Sequence, residues 1–363
     1  MTSDVKRFYD DAARSPSRNS LKQREGTKIF HLRNCNNWVK SILIGEYTDR
    51  ARMHFCRERS LNILDFCCGK GGDQNKWAKA GVDHVTFVDL SPASIEICEQ
   101  RYRSLLNRSR NLFTADFHAA DCTEPFTEKL LNGRLFEIVS CQFALHYAFE
   151  TWHKAHALLS NVSQSLRPGG YFIATIPNAF EIVRRANKAF SDSHADDKSV
   201  RFGNSLYSIN FPPESFSVCR TDTGRDETRL AFPLFGARYD FQLEGVVDCP
   251  EFLIYPQLLC HLAKEHSLVA TSEPTPFAQF FWESLKSTHG RQNPRDLLLR
   301  MNALETLSVD QLPDVHDLHT NYRHVETAFA DNEHAMNCRY LGTLSSEQWD
   351  VFTLYNVISF QKK

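Results

Sequence analysis

The sequence predicts an α/β fold with a mostly parallel sheet, helices on both of its faces and a β-rich insertion after the fifth strand. Three observations support this prediction. Short apolar runs alternate with helical patterns from residue 61 to residue 177, a glycine-rich turn follows the first run, and the alternation stops after Pro177. Parallel strands place their C-terminal ends at one edge of the sheet, so we expect a ligand site there.

The composition is that of a soluble globular protein, and it excludes several functional classes. Residues are 42% hydrophobic and 24% charged, and no apolar run reaches the roughly 18 residues of a membrane span. The polar N-terminus lacks the apolar core of a signal peptide. Eleven cysteines without a CxxC motif favour reduced thiols in a cytosolic or nuclear protein. With a net charge of −2, any nucleic acid would need a local basic cluster.

The elements follow in order along the chain. Residues 1–27 are expected to form a flexible arm with one short helix near Val5–Ala13, and a helix is expected beyond Asn36. Ser91 as N-cap and Pro92 at the first helical position mark a later helix start. Strands are expected in LNILDFC, HVTFVDL, FHAADC, FEIVSCQFAL and YFIATIP, helices in GDQNKWAKAG, SPASIEICEQRYRSLL and WHKAHALLSNVSQSL, and a turn in RPGG.

The second half of the chain has a different pattern. Residues 178–236 are expected to be an insertion in which SDSHADDKSV and RTDTGRDETR form flexible surface loops. SLYSINF and FGARYDFQLEGVVDCPEFLIY indicate strands, and WDVFTLYNVISFQKK ends the chain as an alternating, aromatic-rich strand. Residues 28–363 are therefore expected to form one domain.

The stretch LDFCCGKGGDQNKW indicates a cofactor-binding turn. Its glycines follow an apolar strand and precede a helix, so the backbone can approach a ligand closely. Asp89 ends the second strand at a spacing suited to a ribose diol, and Asp121 follows the third strand, where an adenine amino group could reach it. Each aspartate could instead cap a helix, but acidic or glycine-rich ends on three successive strands favour a ligand site.

Two cofactor classes remain open on these residues, a dinucleotide and S-adenosylmethionine. CCGKGGD matches the dinucleotide pattern GxGxxG poorly. A carboxylate such as Asp65 and the loop carbonyls suit the α-amine of S-adenosylmethionine better, which favours a methyltransferase. Cys67, Cys68 and His84 lack zinc-ligand spacing, so no metal is expected.

Several motifs resemble the mRNA cap (guanine-N7) methyltransferases, across roughly residues 28–360. They are IFHLRNCNNWVKSILIGEY, LDFCCGKGGDQNKW, SCQFALHYAFE, LRPGGYFIATIPNAFEIVRR, FGNSLYSINF and YDFQLEGVVDCPEFLIY. The resemblance implies a Rossmann-like class I methyltransferase fold, S-adenosylmethionine as methyl donor, and the 5′ GpppN end of mRNA as substrate. Residues 28–363 would then be the catalytic domain.

The resemblance also implies site residues, which fall into two groups. Glu244, placed by the pattern in an apolar strand, would accept hydrogen bonds from guanine N1–H and the 2-amino group, and the aromatic faces would stack on the base. The cofactor group is Lys40, Cys67, Asp89, Asp121, Gln142 and Tyr147. The cap group is Asn36 and Asn37, then Lys70, Lys76 and Arg101 facing the triphosphate, and His146, Glu244 and Tyr355 around the guanine.

Guanine N7 carries a lone pair and no proton, so we expect direct in-line displacement without a catalytic acid or base. The resemblance further implies a monomer in the nucleus, working with other capping or transcription machinery and without a membrane. Two alternatives stay open: methylation of another substrate, and a non-catalytic cap- or cofactor-binding module. Cys67 gives the second alternative its support, because a glycine is usual there and a positive φ would strain a cysteine by about 1–2 kcal/mol.

Overall fold

An eight-stranded sheet forms the centre of the fold. The computed structural model describes residues 3–14, 25–55, 60–109, 111–125, 128–131, 133–192, 199–220, 228–286, 293–308 and 340–363. The strands of this sheet are β1 (Asn62–Phe66), β2 (His84–Asp89), β3 (Thr114–Ala119), β4 (Phe136–Gln142), β5 (Leu166–Pro177), β12 (Leu268–Ala270), β13 (Thr275–Pro276) and β16 (Tyr355–Lys362).

The strand order is β12-β16-β5-β4-β1-β2-β3, and β13 pairs with β16. Strands β1 to β5 are mutually parallel, whereas β16 runs antiparallel to β5. The chain therefore moves outward from β1 in one direction and then returns to start the other half at β4. This reversal leaves a crevice at the C-terminal ends of β1 and β4, where open α/β sheets bind ligands. The predicted α/β fold is confirmed.

Helices cover both faces of the sheet. They are α1 (Ser3–Arg14), α2 (Phe30–His54), α3 (Gln74–Ala80), α4 (Pro92–Leu106), α5 (Glu128–Leu131), α6 (Trp152–Ser165), α7 (Ala179–Asp192), α8 (Pro256–Glu265), α9 (Phe277–Lys286), α10 (Pro294–Arg300) and α11 (Ser346–Phe352), with a 3₁₀ helix at Leu145–Glu150. Alternate residues of β1 enter separate cores: Ile63 packs with Trp38 and Trp77, and Leu64 packs with Leu158. None of the described helices is long and apolar enough to cross a membrane.

The region after β5 contains a second, antiparallel sheet, as the sequence predicts. Its order is β11-β10-β7-β6, and a separate hairpin pairs β8 with β9. A further pair joins two strands near the C-terminal end of the chain. These strands are β6 (Val200–Gly203), β7 (Tyr207–Phe211), β8 (Ser217–Arg220), β9 (Thr228–Ala231), β10 (Arg238–Leu243), β11 (Val247–Phe252), β14 (Glu305–Ser308) and β15 (Tyr340–Thr343). Most of the two predicted loops, SDSHADDKSV and RTDTGRDETR, lies outside the described residues.

Several element boundaries differ from the sequence-based expectation. The expected terminal strand begins only at Tyr355, because Ser345 caps a helix that takes up the preceding aromatic residues. The RPGG turn is part of β5, where the pairing with β4 shifts register. Helix α2 begins at Phe30, before Asn36, and α7 follows β5 directly. The short helix expected near Val5–Ala13 is present as α1, and it packs on the domain with Val5 buried.

A buried carboxylate ties β1 to the helix that follows the glycine-rich turn. Asp65 is 2% exposed, and the Trp77 indole Nε1 donates to its Oδ2 at 3.0 Å. Burial raises the pKa of Asp65 to about 7, and the neighbouring Asp73 adds to this shift. A carboxyl group with such a pKa is partly protonated at neutral pH.

Two alanine substitutions in the glycine-rich turn should differ in their effect on the free energy of unfolding. Gly69 and Gly71 both have positive φ, but a Cβ at Gly69 meets nothing within 4 Å, whereas one at Gly71 would lie 2.6 Å from Cys98 Sγ. We expect Gly69→Ala to lower the free energy of unfolding by about 1 kcal/mol, from φ alone. Gly71→Ala should lower it by roughly 2–4 kcal/mol, because overpacking adds to the same strain. Urea denaturation measures both, and equal losses would contradict this geometry.

Asp65 predicts a specific pH dependence of stability. An unfolded Asp titrates near about 3.9, so between that value and the folded pKa of about 7 the folded state binds more protons. The free energy of unfolding should therefore fall as pH rises from about 4 to about 7, by no more than about 1.4 kcal/mol per pKa unit.

Asp65→Asn keeps an acceptor for Trp77 but cannot titrate, so it should gain stability relative to the wild type across this pH range. Asp248→Asn, on an exposed position of β11, is the matched control. Denaturant unfolding at several pH values measures the differences. Parallel curves for Asp65→Asn and the wild type would contradict the assignment.

Candidate methyl-transfer site

The glycine-rich turn, residues 67–73, is held open by left-handed backbone. The φ angles are +53° at Cys67, +53° at Gly69 and +71° at Gly71. Cys67 is thus in the strained conformation, at about 1–2 kcal/mol for a residue with a Cβ. Its thiol contacts those of Cys122 and Cys141. Among the described residues, no group of three or more His, Cys, Asp or Glu side chains is placed to hold a metal ion.

Asp89 braces this turn from the end of β2. Its Oδ2 accepts the backbone N–H of Gly69 at 2.8 Å, and its Oδ1 accepts that of Ser91 at 2.9 Å. Burial raises the pKa of Asp89 above its ordinary value, although both backbone donors oppose the shift. The backbone N–H of Ala120 donates to Asp89 O at 2.9 Å, which brings the Asp121 segment to the same edge. The two aspartates that the sequence analysis selected therefore lie at the ends of neighbouring strands.

Asp73 forms ion pairs with two lysines on the other side of the glycine-rich turn. Lys40 Nζ and Lys76 Nζ each lie 2.7 Å from Asp73 Oδ1, and Lys76 also donates to Asn37 Oδ1 at 2.9 Å. Burial alone would raise the pKa of Asp73, but the two ammonium groups hold it well below the usual range. Family motifs predicted Lys40, Lys76 and Asn37 as site residues, but Asp73 was not predicted. The aspartate directly after the paired glycines was its only signal.

Lys70 and Arg101 form a separate basic pair. The Arg101 guanidinium donates to Lys70 O at 2.8 Å. Lys70 Nζ donates to Ala12 O, in the last turn of α1, at 2.6 Å. Burial and the neighbouring Arg101 lower the pKa of Lys70. The three cations expected to face a triphosphate therefore lie in two groups. Lys70 is with Arg101, whereas Lys76 is with Asp73.

Helix α1 covers this edge of the sheet. The Tyr9 and Tyr147 hydroxyls are 2.9 Å apart, and Ser91 Oγ donates to Asp10 Oδ1 at 2.5 Å. Together with the bond to Lys70, these contacts join α1 to the glycine-rich turn, the end of β2 and the 3₁₀ helix. This role was not predicted from the sequence, because α1 is short and a polar stretch of sequence separates it from the domain. Its amphipathic pattern, with Val5, Phe8 and Tyr9 inward, was the available signal.

A buried cluster of polar and aromatic side chains beyond β4 forms a second candidate pocket, and it contains a carboxylate. Glu251, on β11, is 4% exposed. Its Oε1 lies 3.3 Å from His146 Nε2, and its Oε2 accepts the Tyr239 hydroxyl at 2.8 Å. Burial and the nearby Glu251 raise the pKa of Tyr355. Phe143 and Tyr355 pack edge-on with ring centroids 5.0 Å apart, which adds aromatic faces to the pocket.

Glu244 lies elsewhere, and its predicted placement in a buried strand is wrong. β10 ends at Leu243, and Gly245 turns the chain with φ +65°, so Glu244 is in the hairpin turn. Its side chain is 53% exposed and 4.0 Å from Lys28 Nζ. The buried carboxylate of this hairpin belongs to Glu251, in the same motif. Alternation could not distinguish the two glutamates, since both flank apolar residues, but the Glu-Gly pair was a hairpin signal.

Buried polar atoms without partners mark the space between the turn and this pocket. Asn36 Oδ1 and Gln142 Oε1 are buried and accept no hydrogen bond, although Gln142 Nε2 donates to Ser140 Oγ at 3.1 Å. Buried polar groups are normally satisfied, so such atoms indicate a ligand that supplies donors. Both residues belong to the predicted site. These atoms, the open turn and the adjacent acidic and basic groups fit a zwitterionic nucleoside cofactor.

The chain is similar to known methyltransferases over its whole length. The family model described as mRNA (guanine-N(7))-methyltransferase domain matches residues 1–363. An mRNA cap guanine-N(7) methyltransferase of Drosophila melanogaster is 40% identical over 351 residues, covering 94% of this chain and 73% of that protein. The Caenorhabditis elegans protein of the same name is 34% identical over 351 residues, covering 94% and 83%. mRNA cap guanine-N(7) methyltransferase 1 of Oryza sativa subsp. japonica is 33% identical over 356 residues, covering 96% and 79%.

These matches confirm the resemblance found in the sequence and agree with the Rossmann-like class I methyltransferase fold that it implied. The strand order and the glycine-rich turn after β1 agree with that fold. The chain belongs to the mRNA (guanine-N7)-methyltransferase family.

Proposed function

We propose that this chain transfers the methyl group of S-adenosylmethionine to N7 of the guanosine cap, GpppN, at the 5′ end of mRNA. The observation that carries the proposal is the carboxylate of Glu251, buried among aromatic residues next to a cofactor turn. A buried carboxylate is costly unless donors satisfy it, and Tyr239 supplies one such donor to Glu251. Guanine offers two such donors on one edge, N1–H and the 2-amino group, and adenine does not.

The cofactor supplies an electrophilic methyl group on a positively charged sulfur. Lys40 would bind its carboxylate and Asp73 its α-amine. The two side chains lie 2.7 Å apart, so they can contact neighbouring groups of one ligand. Asp89 would accept the ribose hydroxyls. Asp121 would contact the adenine, Gln142 and Tyr147 would line the cofactor pocket as the family resemblance implies, and the backbone of Cys67 would line the turn.

The cap would lie with its guanine in the second pocket. Glu251 accepts from the Watson–Crick edge, while Phe143 and Tyr355 provide aromatic faces for stacking. Tyr239 holds one oxygen of Glu251, and His146 lies beside the other, so the carboxylate has little freedom to rotate. Lys70 and Arg101 would face the triphosphate, and Asn36, Asn37 and Lys76 would line the side nearest the cofactor.

The chemistry needs alignment rather than proton transfer. N7 of the bound guanine is already a nucleophile, so no residue has to remove a proton from it. The two pockets fix the direction of approach, and this kind of positioning contributes up to about 7–11 kcal/mol in favourable cases. Carboxylates near the reacting atoms, such as Asp73 and Asp89, suit a reaction centre that carries positive charge.

Helix α1 would act as a lid over the cofactor. Tyr9, Asp10 and Ala12 bind three elements that surround the turn, so α1 must move for exchange of the cofactor and then exclude water when it returns. Its placement means that the expected N-terminal arm also serves the site.

The biological setting of the proposal follows from the family. A capped mRNA end is the substrate. The chain would act on it in the nucleus, where such ends arise. It would act as a monomer in contact with other capping or transcription machinery.

Direct methyl transfer tests the function. Incubation of the chain with methyl-labelled S-adenosylmethionine and GpppG-ended RNA should label N7 of the terminal guanine, as nuclease digestion and chromatography would show. ApppG-ended RNA should remain unlabelled at its terminal base, because adenine lacks the donors for Glu251. A non-catalytic binding module would bind cap analogue without transfer, and methylation of a different acceptor would leave both RNAs unlabelled. Either result would overturn the proposal.

Glu251→Gln should lower kcat/KM for capped RNA roughly 100-fold or more, because the amide presents a donor to guanine and weakens a charge-assisted bond. Cofactor affinity, measured by titration with S-adenosylhomocysteine, should change little. Glu244→Gln is the matched control and should alter kcat/KM by less than about 3-fold, as expected of an exposed ion pair. A larger loss from Glu244→Gln than from Glu251→Gln would reverse the assignment.

A further inference from the structure

Arg185, on α7, joins three elements through one guanidinium group. Its Nε donates to Glu181 Oε1 at 2.7 Å, within the same helix. Its NH1 donates to the Tyr207 hydroxyl at 2.7 Å, and its NH2 donates to Thr353 Oγ1 at 2.8 Å. A further bond reaches the Asp350 carbonyl at 3.1 Å. The side chain is only 14% exposed, so water competes little for these bonds.

One of these partners belongs to the wall of the guanine pocket that contains Glu251. Tyr207 lies on β7, directly opposite Leu243 of β10, and its ring packs against Phe241 with centroids 6.5 Å apart. β10 in turn pairs with β11, where Tyr239 stands opposite Glu251. Tyr207 and Glu251 therefore belong to one continuous antiparallel ladder, β7-β10-β11.

The other partners belong to the opposite wall. Asp350 and Thr353 lie at the end of α11, and Thr353 precedes the aromatic Tyr355 by two residues. Asn178, just before α7, binds the same corner, since its backbone N–H donates to Leu354 O at 2.7 Å. Helix α7 is thus attached to both walls, and Arg185 reaches both of them through its side chain.

We infer that Arg185 is a positioning residue for the cap. It sets the distance between the Glu251 wall and the Tyr355 wall of the guanine pocket. This inference rests on the proposed function. Arg185 does not touch substrate in this arrangement, so its effect should appear in cap recognition and not in cofactor binding. The glycine-rich turn, Asp73 before α3 and Asp89 at the end of β2 lie outside the elements that Arg185 joins.

The guanidinium is the group that this role requires. Its planar fork points donors at Tyr207, Thr353 and Glu181 at the same time, whereas a lysine ammonium is a single point of charge on a flexible stem. Glu181 supplies the balancing charge and also binds Arg184 at 2.7 Å. Arg184 is 64% exposed, so it offers a neighbouring arginine that shares Glu181 but has a different environment.

The test compares Arg185→Lys with Arg184→Lys in the full chain. KM for GpppG-ended RNA should rise roughly 10-fold or more in Arg185→Lys, since several bonds from a charged donor are lost. The dissociation constant for S-adenosylhomocysteine should stay within about 2-fold, because the cofactor turn is not attached to α7. Arg184→Lys should leave both quantities unchanged. Equal losses in cap and cofactor binding, or no change in KM, would overturn the inference.

Two milder variants decide the matter if Arg185→Lys does not fold, as judged by its thermal melt. Tyr207→Phe removes the side-chain bond to the β7 wall, and Thr353→Val removes one of the two bonds to the α11 wall; both leave Arg185 in place. Each should raise KM for the cap selectively, and the double variant should raise it further; unchanged KM values would refute the inference. Wild-type protein that fails to methylate GpppG-ended RNA would instead refute the proposed function. The two failures are therefore distinguishable.

Discussion

The reversal of strand order between β1 and β4 is the constraint on which the site depends. Because the chain leaves β1 toward β2 and returns to β4 on the other side, no crossover helix fills the space above their C-terminal ends. The glycine-rich turn enters this space only because three of its residues adopt positive φ. Asp89 then fixes the turn through the backbone N–H of Gly69.

Charge at this edge is arranged in small clusters, and this explains how a chain with a net charge of −2 can approach an anionic substrate. Asp73 binds Lys40 and Lys76, which gives the cluster a net positive charge while its members remain buried. Lys70 and Arg101 form the second positive cluster, beside the last turn of α1. Local fields of this kind attract a charged ligand independently of the overall charge.

The proposed guanine pocket combines parts that are distant in the sequence. Phe143 follows β4, Glu251 lies on the inserted sheet, and Tyr355 begins the last strand of the main sheet. No single element can hold these groups at the separation of a purine ring. The arrangement depends on contacts between elements, such as Tyr239 with Glu251 and the bonds of Arg185 to β7 and α11. The inserted sheet therefore completes the site.

The sequence by itself determined the alternation of strands and helices, the glycine-rich turn, and Asp89 at the end of β2, because these depend on local periodicity and spacing. It also predicted Lys40, His146 and Tyr355 through family motifs. It did not determine that α1 covers the turn, that Asp73 unites two lysines, or that Glu251 and not Glu244 is the buried glutamate. Those outcomes depend on hairpin geometry and on which side chains are desolvated together. Only the tertiary structure decides them, because burial and pairing of charges arise between segments far apart in the chain.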